Sequence, residues 1–95
     1  MARTLLVGAE IACPTTAGAA TSFSEATVVR LVNTHTSAHL VTVLETQSGT
    51  GVGSMTIPPN GVEYLEKKPS HVVFAANAGV KRAQVGFTGK SNETN

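Results

Sequence analysis

Turn-forming residues interrupt this chain so often that no long helix has room to form. Proline, glycine and asparagine signals recur about every 8 to 12 residues, the rhythm of a sandwich or small barrel. The stretches between them are short and rich in Val, Leu, Ile and Thr. Residues 26–33 and 39–45 are the most pronounced of these stretches. Branching at Cβ restricts their side chains to few rotamers, which suits a pleated strand better than a helix. The link between them, residues 34–38, is short and polar, so the two are expected to pair as an antiparallel hairpin. Val29 and Leu31 alternate with Val28, Arg30 and Val32, and Val41 and Val43 alternate with Leu40, Thr42 and Leu44. Both faces carry apolar side chains, so the pair is expected to be covered on both sides. Arg30 would then need a carboxylate or carbonyl partner.

The same reasoning extends along the chain. Leu5, Val7, Ala9 and Ile11 recur with a period of two and predict a strand over 3–12. Residues 14–22 are small and offer little to bury, so they read as a flexible connection or as an arm lying on a neighbour. Phe23 restores apolar character and is expected to close one end of the core. Residues 47–53 are glycine-rich, but no Lys-Ser/Thr ending or following helix accompanies them, so a hairpin loop is predicted and not a phosphate cradle. A strand over 54–57 follows. Pro58-Pro59-Asn60-Gly61 is a strong turn signal, with positive φ values expected over Asn60-Gly61. Strands are predicted over 62–66, 70–75 and 80–88, the last with Ala83, Val85 and Phe87 on one face and Arg82 and Gln84 on the other. Residues 89–95 are polar.

About seven short strands in 95 residues define an all-β fold, a single small β-sandwich of immunoglobulin-like or jelly-roll-like type. Residues 1–21 form its N-terminal strand and arm, 22–89 its body and 90–95 a polar tail. The expected core is Val29, Leu31, Val41, Val43, Val73, Val85 and Phe87.

Composition narrows the function more than it defines it. The charged fraction is 14%, against about 25% in an average soluble domain. Thr, Ser, Asn and Gln supply much of the polar surface, a mix compatible with life inside an assembly. A net charge of +1 makes no electrostatic case for nucleic acid or an anionic membrane. The basic pairs Lys67-Lys68 and Lys81-Arg82 read as solvated strand ends. No stretch approaches the roughly 18 apolar residues of a membrane span, and no secretory signal is visible. Cys13 is the only cysteine, which excludes an intrachain disulfide and leaves a small apolar thiol in an irregular or peripheral segment. A reducing compartment is the expected setting.

No catalytic constellation emerges. The chain contains no aspartate, and Glu63 and Glu66 fall on opposite faces of a regular strand. The serines near His39 and His71 belong to no nucleophile motif. His35, His39 and His71 are the available metal ligands, and a zinc site would require all three to converge across a turn or about a symmetry axis. No catalytic, cofactor-binding or metal-binding residue is therefore assigned, and no cofactor or small-molecule substrate is expected.

The strand-and-turn pattern is nevertheless familiar. A Ser-rich entry into residues 26–34, Val41-Thr42-Val43, and Thr56-Ile57-Pro58-Pro59-Asn60-Gly61 form one half. Tyr64 to Pro69, His71 to Ala75, and Val85-Gly86-Phe87-Thr88 form the other. Together, over roughly residues 22–89, they resemble the small virion proteins of tailed bacteriophages, especially those of cyanophage genomes. The resemblance implies a sandwich module that decorates or cements a capsid, bound to the major capsid protein lattice as a homo-oligomer. It implies location in the virion, on the capsid surface, after assembly in the host cytoplasm. No functional residue is carried over, because the shared features are strands and turns. A head–tail connector or tail accessory protein shares this fold class. A carbohydrate- or host-surface-binding module would show exposed aromatics on one face, and the chain has one Tyr and three Phe. An enzyme is the class least supported.

Overall fold

The computed structural model describes residues 3–88, with side chains from Leu5 to Gly86. The described residues form eight strands: β1 (Arg3–Leu6), β2 (Ile11–Ala12), β3 (Val28–Asn33), β4 (His39–Leu44), β5 (Gly51–Ile57), β6 (Val62–Glu66), β7 (Val72–Ala75) and β8 (Val80–Thr88). A short 3-10 turn covers Ala17–Ala19. The strands form two antiparallel sheets. One has the order β1-β8-β3-β6, with β2 also on β8, and the other the order β5-β4-β7.

The connectivity follows from nested pairs. β4 pairs with β5, β3 with β6, Thr21 with Val73 of β7, and β1 and β2 with β8. The chain is thus one long antiparallel ribbon, doubled back at the β4–β5 hairpin. The ribbon then rolls up, so that β3 meets β8 and β4 meets β7. This is the wiring of a jelly roll, a two-sheet sandwich of Greek keys. Immunoglobulin-like domains are wired differently.

The expected β3–β4 hairpin is therefore corrected. The two strands lie in different sheets, and residues 34–38 arch between them. Asn33 sets this arch. Its buried side chain donates through Nδ2 to the Ser37 and Ile57 carbonyls, both at 2.8 Å, and accepts from the His35 amide at 2.9 Å. A hairpin turn would leave these groups to solvent. The arch instead converges them on one amide, with every bond satisfied.

Val29, Leu31, Val41, Val43 and Val73 fill the space between the sheets, as expected, together with Phe23, Ile57, Ala75, Val80 and Cys13. Cys13 lies in irregular chain, the first of the two expected alternatives, and is buried in the core. Residues 14–22 also have something to bury. Ala20 is sealed in, the Pro14 carbonyl accepts from the Ala75 amide at 2.9 Å, and Thr21 exchanges backbone bonds with Val73. The N-terminal chain thus begins on one sheet and finishes on the other.

Strand β8 holds a second correction. Residues directly opposite in an antiparallel pair share a face. Arg82 lies opposite Leu31 and Gln84 opposite Val29, so these polar residues occupy the inward row. Ala83 and Val85 are buried on the outer face and stand outside the core cluster. The side chain of Phe87 lies outside the described residues, as do residues 89–95. Inward Arg82 is accommodated by Phe23, whose ring centroid lies 4.2 Å from the guanidinium carbon, a stacked cation–π contact.

Phe23 reaches that position through an uncommon backbone. Phe23, Ser24 and Glu25 all have positive φ, between 56° and 61°. The Ala26 amide bonds the Ser22 carbonyl at 3.2 Å, closing one left-handed turn. Such a turn costs roughly 1–2 kcal/mol per residue. Ser22 Oγ, accepting from the Glu25 amide at 3.1 Å, and the burial of Phe23 offset it.

The turn at 58–61 has the expected positive φ at Asn60, 62°, but not at Gly61. With Pro59 before Asn60 and the Gly61 amide bonded to the Pro58 carbonyl at 2.9 Å, this is a type II turn. Gly61 is required by a close approach: a Cβ there would stand 2.9 Å from the Pro58 carbonyl oxygen and 3.0 Å from its ring. Of the glycine-rich stretch 47–53, residues 47–50 form the expected hairpin connection, closed by the Glu45 amide on the Thr50 carbonyl, and residues 51–53 already belong to β5.

Candidate interaction surface and inter-sheet cleft

The outer face of the five-stranded sheet is the most distinctive surface. The registers place Leu6 beside Val85 and Val28 beside Glu66, with Arg30 between Tyr64 and Ala83 and Val32 opposite Val62. Leu6 is 70% exposed, Tyr64 47% and Val62 41%. An outer sheet face normally alternates to polar residues; this one mixes exposed apolar side chains with Arg30, Glu66 and Lys81. An open groove of about 590 Å³ runs across it, bordered by Leu6, Ala9, Tyr64 and Ala83. Arg30 finds its carboxylate partner here, Nη1 meeting Glu10 Oε2 at 2.9 Å. Both side chains are partly exposed, so the pair contributes about 0–1 kcal/mol. Its effect is local: it ties the chain between β1 and β2 over β3.

The other sheet leaves Leu40, Thr42, Leu44, Thr56 and Phe74 on its outer side, with Leu40 exposed. The expectation that β3 and β4 are covered on both faces is therefore met on the core side alone within this chain.

A second feature lies where β5 and β6 leave the two sheets open at one edge. A cleft of about 180 Å³ runs between them, bordered by Val41, Val43, Val52, Met55 and Leu65. It follows from one residue. Gly53 pairs with Val43 on the inward row of β5, and a Cβ built there would find no atom within 4 Å. The inward row reads Gly53, Met55, Ile57, and the hole is where the first side chain is missing. The register shifts just beyond, between Val43 and Leu44, and leaves Val52 as the extra, exposed residue of a bulge.

Lys67 and His71 border the same cleft. Lys67, read from sequence as a solvated strand end, is only 6% exposed. Its amide bonds the Thr27 carbonyl, extending the β3–β6 ladder by one residue and continuing the inward row of Leu65. Its Nζ donates to the carbonyls of Lys68 and Pro69 at 3.3 and 3.5 Å. Burial lowers its pKa, and the charge of Glu25 acts in the opposite direction.

The sequence candidates fall as follows. His35 and His39 meet across the arch, Nδ1 to Nε2 at 2.8 Å. His35 Nδ1 also accepts from the Ser37 amide, so it carries the lone pair and His39 Nε2–H donates. His71 lies at the cleft instead. Among the described residues no three His, Cys, Asp or Glu side chains are grouped to hold a metal. Glu63 and Glu66 pair with Leu31 and Val28 and so point to opposite faces. Burial pushes the Cys13 thiol up to about 11, against the lowering influence of the Arg82 charge. Comparison with family models, curated proteins and solved structures finds no match to this chain.

Proposed function

We propose that this protein is a structural component of a bacteriophage virion, a jelly-roll module that decorates or cements the capsid by binding the major capsid protein lattice. One observation carries the docking role: the apolar outer face formed by Leu6, Val62 and Tyr64 with Val28 and Val32. A small domain that keeps such side chains in water gains by covering them, and exposed apolar side chains rimmed by polar ones mark sites of association. The virion setting comes from the strand-and-turn resemblance over residues 22–89. The low charge suits a part held among close neighbours.

The test mixes the purified protein with undecorated phage heads and sediments them. Saturable co-sedimentation is expected, with density at fixed lattice positions by electron microscopy. A Val62→Lys, Tyr64→Lys double variant, folded by circular dichroism, should lose occupancy. Absence of binding by the unaltered protein would overturn the capsid reading. Full occupancy by the variant would move the docking surface off this face.

A further inference from the structure

We propose that the cleft between β5 and β6 is a binding site for a short aliphatic carboxylate. This inference is independent of the capsid reading and uses a different part of the molecule.

Shape comes first. The cleft is open at the sheet edge and bordered mainly by apolar side chains from both sheets: Val41, Val43 and Met55 on one side, Leu65 on the other. Its volume of about 180 Å³ exceeds the roughly 150 Å³ that holds a benzene-sized guest, so an acyl chain of about six to eight carbons fits. The space cannot be reclaimed by the protein's own side chains where Gly53 stands.

Charge selects the head group. Lys67 is nine-tenths buried on the row that borders the cleft, and among the described residues no carboxylate lies within ion-pair distance of it, Glu25 acting on it only from further off. Its two carbonyl contacts are long, at 3.3 and 3.5 Å, and a carboxylate is a better acceptor than either. His71 stands at the same border as a further donor. Glu66 also borders the cleft, from the opposite face of β6, and disfavours anions lacking an apolar tail to hold them inside. The lowered pKa of Lys67 agrees with an ammonium that lacks a full counter-charge. A carboxylate head on Lys67 with its chain along Val43 and Leu65 therefore satisfies both needs, whereas an amine of equal length sets two cations together.

The test is calorimetric titration of the full-length protein with octanoate, octanol and octylamine. Octanoate is expected to bind about tenfold or more tightly than octylamine. Lys67→Met should weaken octanoate about tenfold and leave octanol unchanged, while Lys67→Arg retains octanoate. Gly53→Leu should abolish binding of both, with the melting temperature showing an intact fold. Equal binding of octanoate and octylamine would overturn the proposal. So would octanoate binding unaffected by Lys67→Met and Gly53→Leu, or no octanoate binding at millimolar concentration.

Discussion

Replacing Gly53 by Val should make the protein more stable, an unusual expectation for a core-facing position. Three contributions set the size. Glycine within a strand is destabilising by about 0.5–1 kcal/mol through the freedom it has when unfolded. No glycine in the described chain has positive φ, so the native backbone accepts a side chain here. The new methyls enter the cleft beside Val43 and Met55, and half-burial of a valine contributes about 1 kcal/mol. Fixing its rotamer costs a few tenths of a kcal/mol. The sum is about 1.5 kcal/mol, which for a domain of this length raises the melting temperature by about 6–12 °C. Differential scanning calorimetry measures it. An unchanged or lower melting temperature for Gly53→Val would refute the reasoning.

Other perturbations reach different parts of the fold. Asn33→Ala removes three buried or part-buried hydrogen bonds and should cost about 3 kcal/mol in chemical denaturation, more than an average strand-end substitution. Gly61→Val should destabilise by more than about 1 kcal/mol, because its Cβ meets the Pro58 carbonyl and ring whatever its φ; a neutral result would mean that the turn relaxes freely. The Cys13 thiol should resist a disulfide reagent in the folded protein and react on unfolding. With its pKa raised from 9.0 to about 11, its contribution is complete below pH 9, where both states are protonated. The unfolded chain then ionises first, so stability should fall between pH 9 and about 11, and Cys13→Ala should flatten that slope.

The strands were legible because alternation and turn residues are local properties. Which strands pair is not local. A five-residue link such as 34–38 serves a hairpin or an arch equally well, and only the convergence of Ser37 and Ile57 on Asn33 decides between them. Alternation in β8 separates Ala83 and Val85 from Arg82 and Gln84, but it does not say which row faces inward. The apolar row looked like core; Phe23, brought in by a left-handed turn of non-glycine residues, makes room for Arg82 instead. Left-handed φ at Phe23, Ser24 and Glu25 has no signature in residue type. The cleft was illegible for a further reason: it depends on Gly53 facing Val43, and that register is known only once the bulge at Val52 is placed. Lys67 followed Glu66 out of a strand, and only the added rung to Thr27 turns it inward.

The rolled ribbon also dictates an order in time. Its innermost pair, β4 with β5, closes a loop of a few residues, whereas β1 and β8 join Arg3 to Thr88. Formed directly, that last closure costs roughly 2 kcal/mol more in chain entropy than the first. Formed after the inner pairs, each later rung closes only a short additional length. Folding should therefore zip outward from the glycine-rich hairpin, and the two chain ends should lock last and open first. Amide exchange during refolding should show protection at Val41 and Met55 before Leu5 and Val85; the reverse order would exclude the zipper.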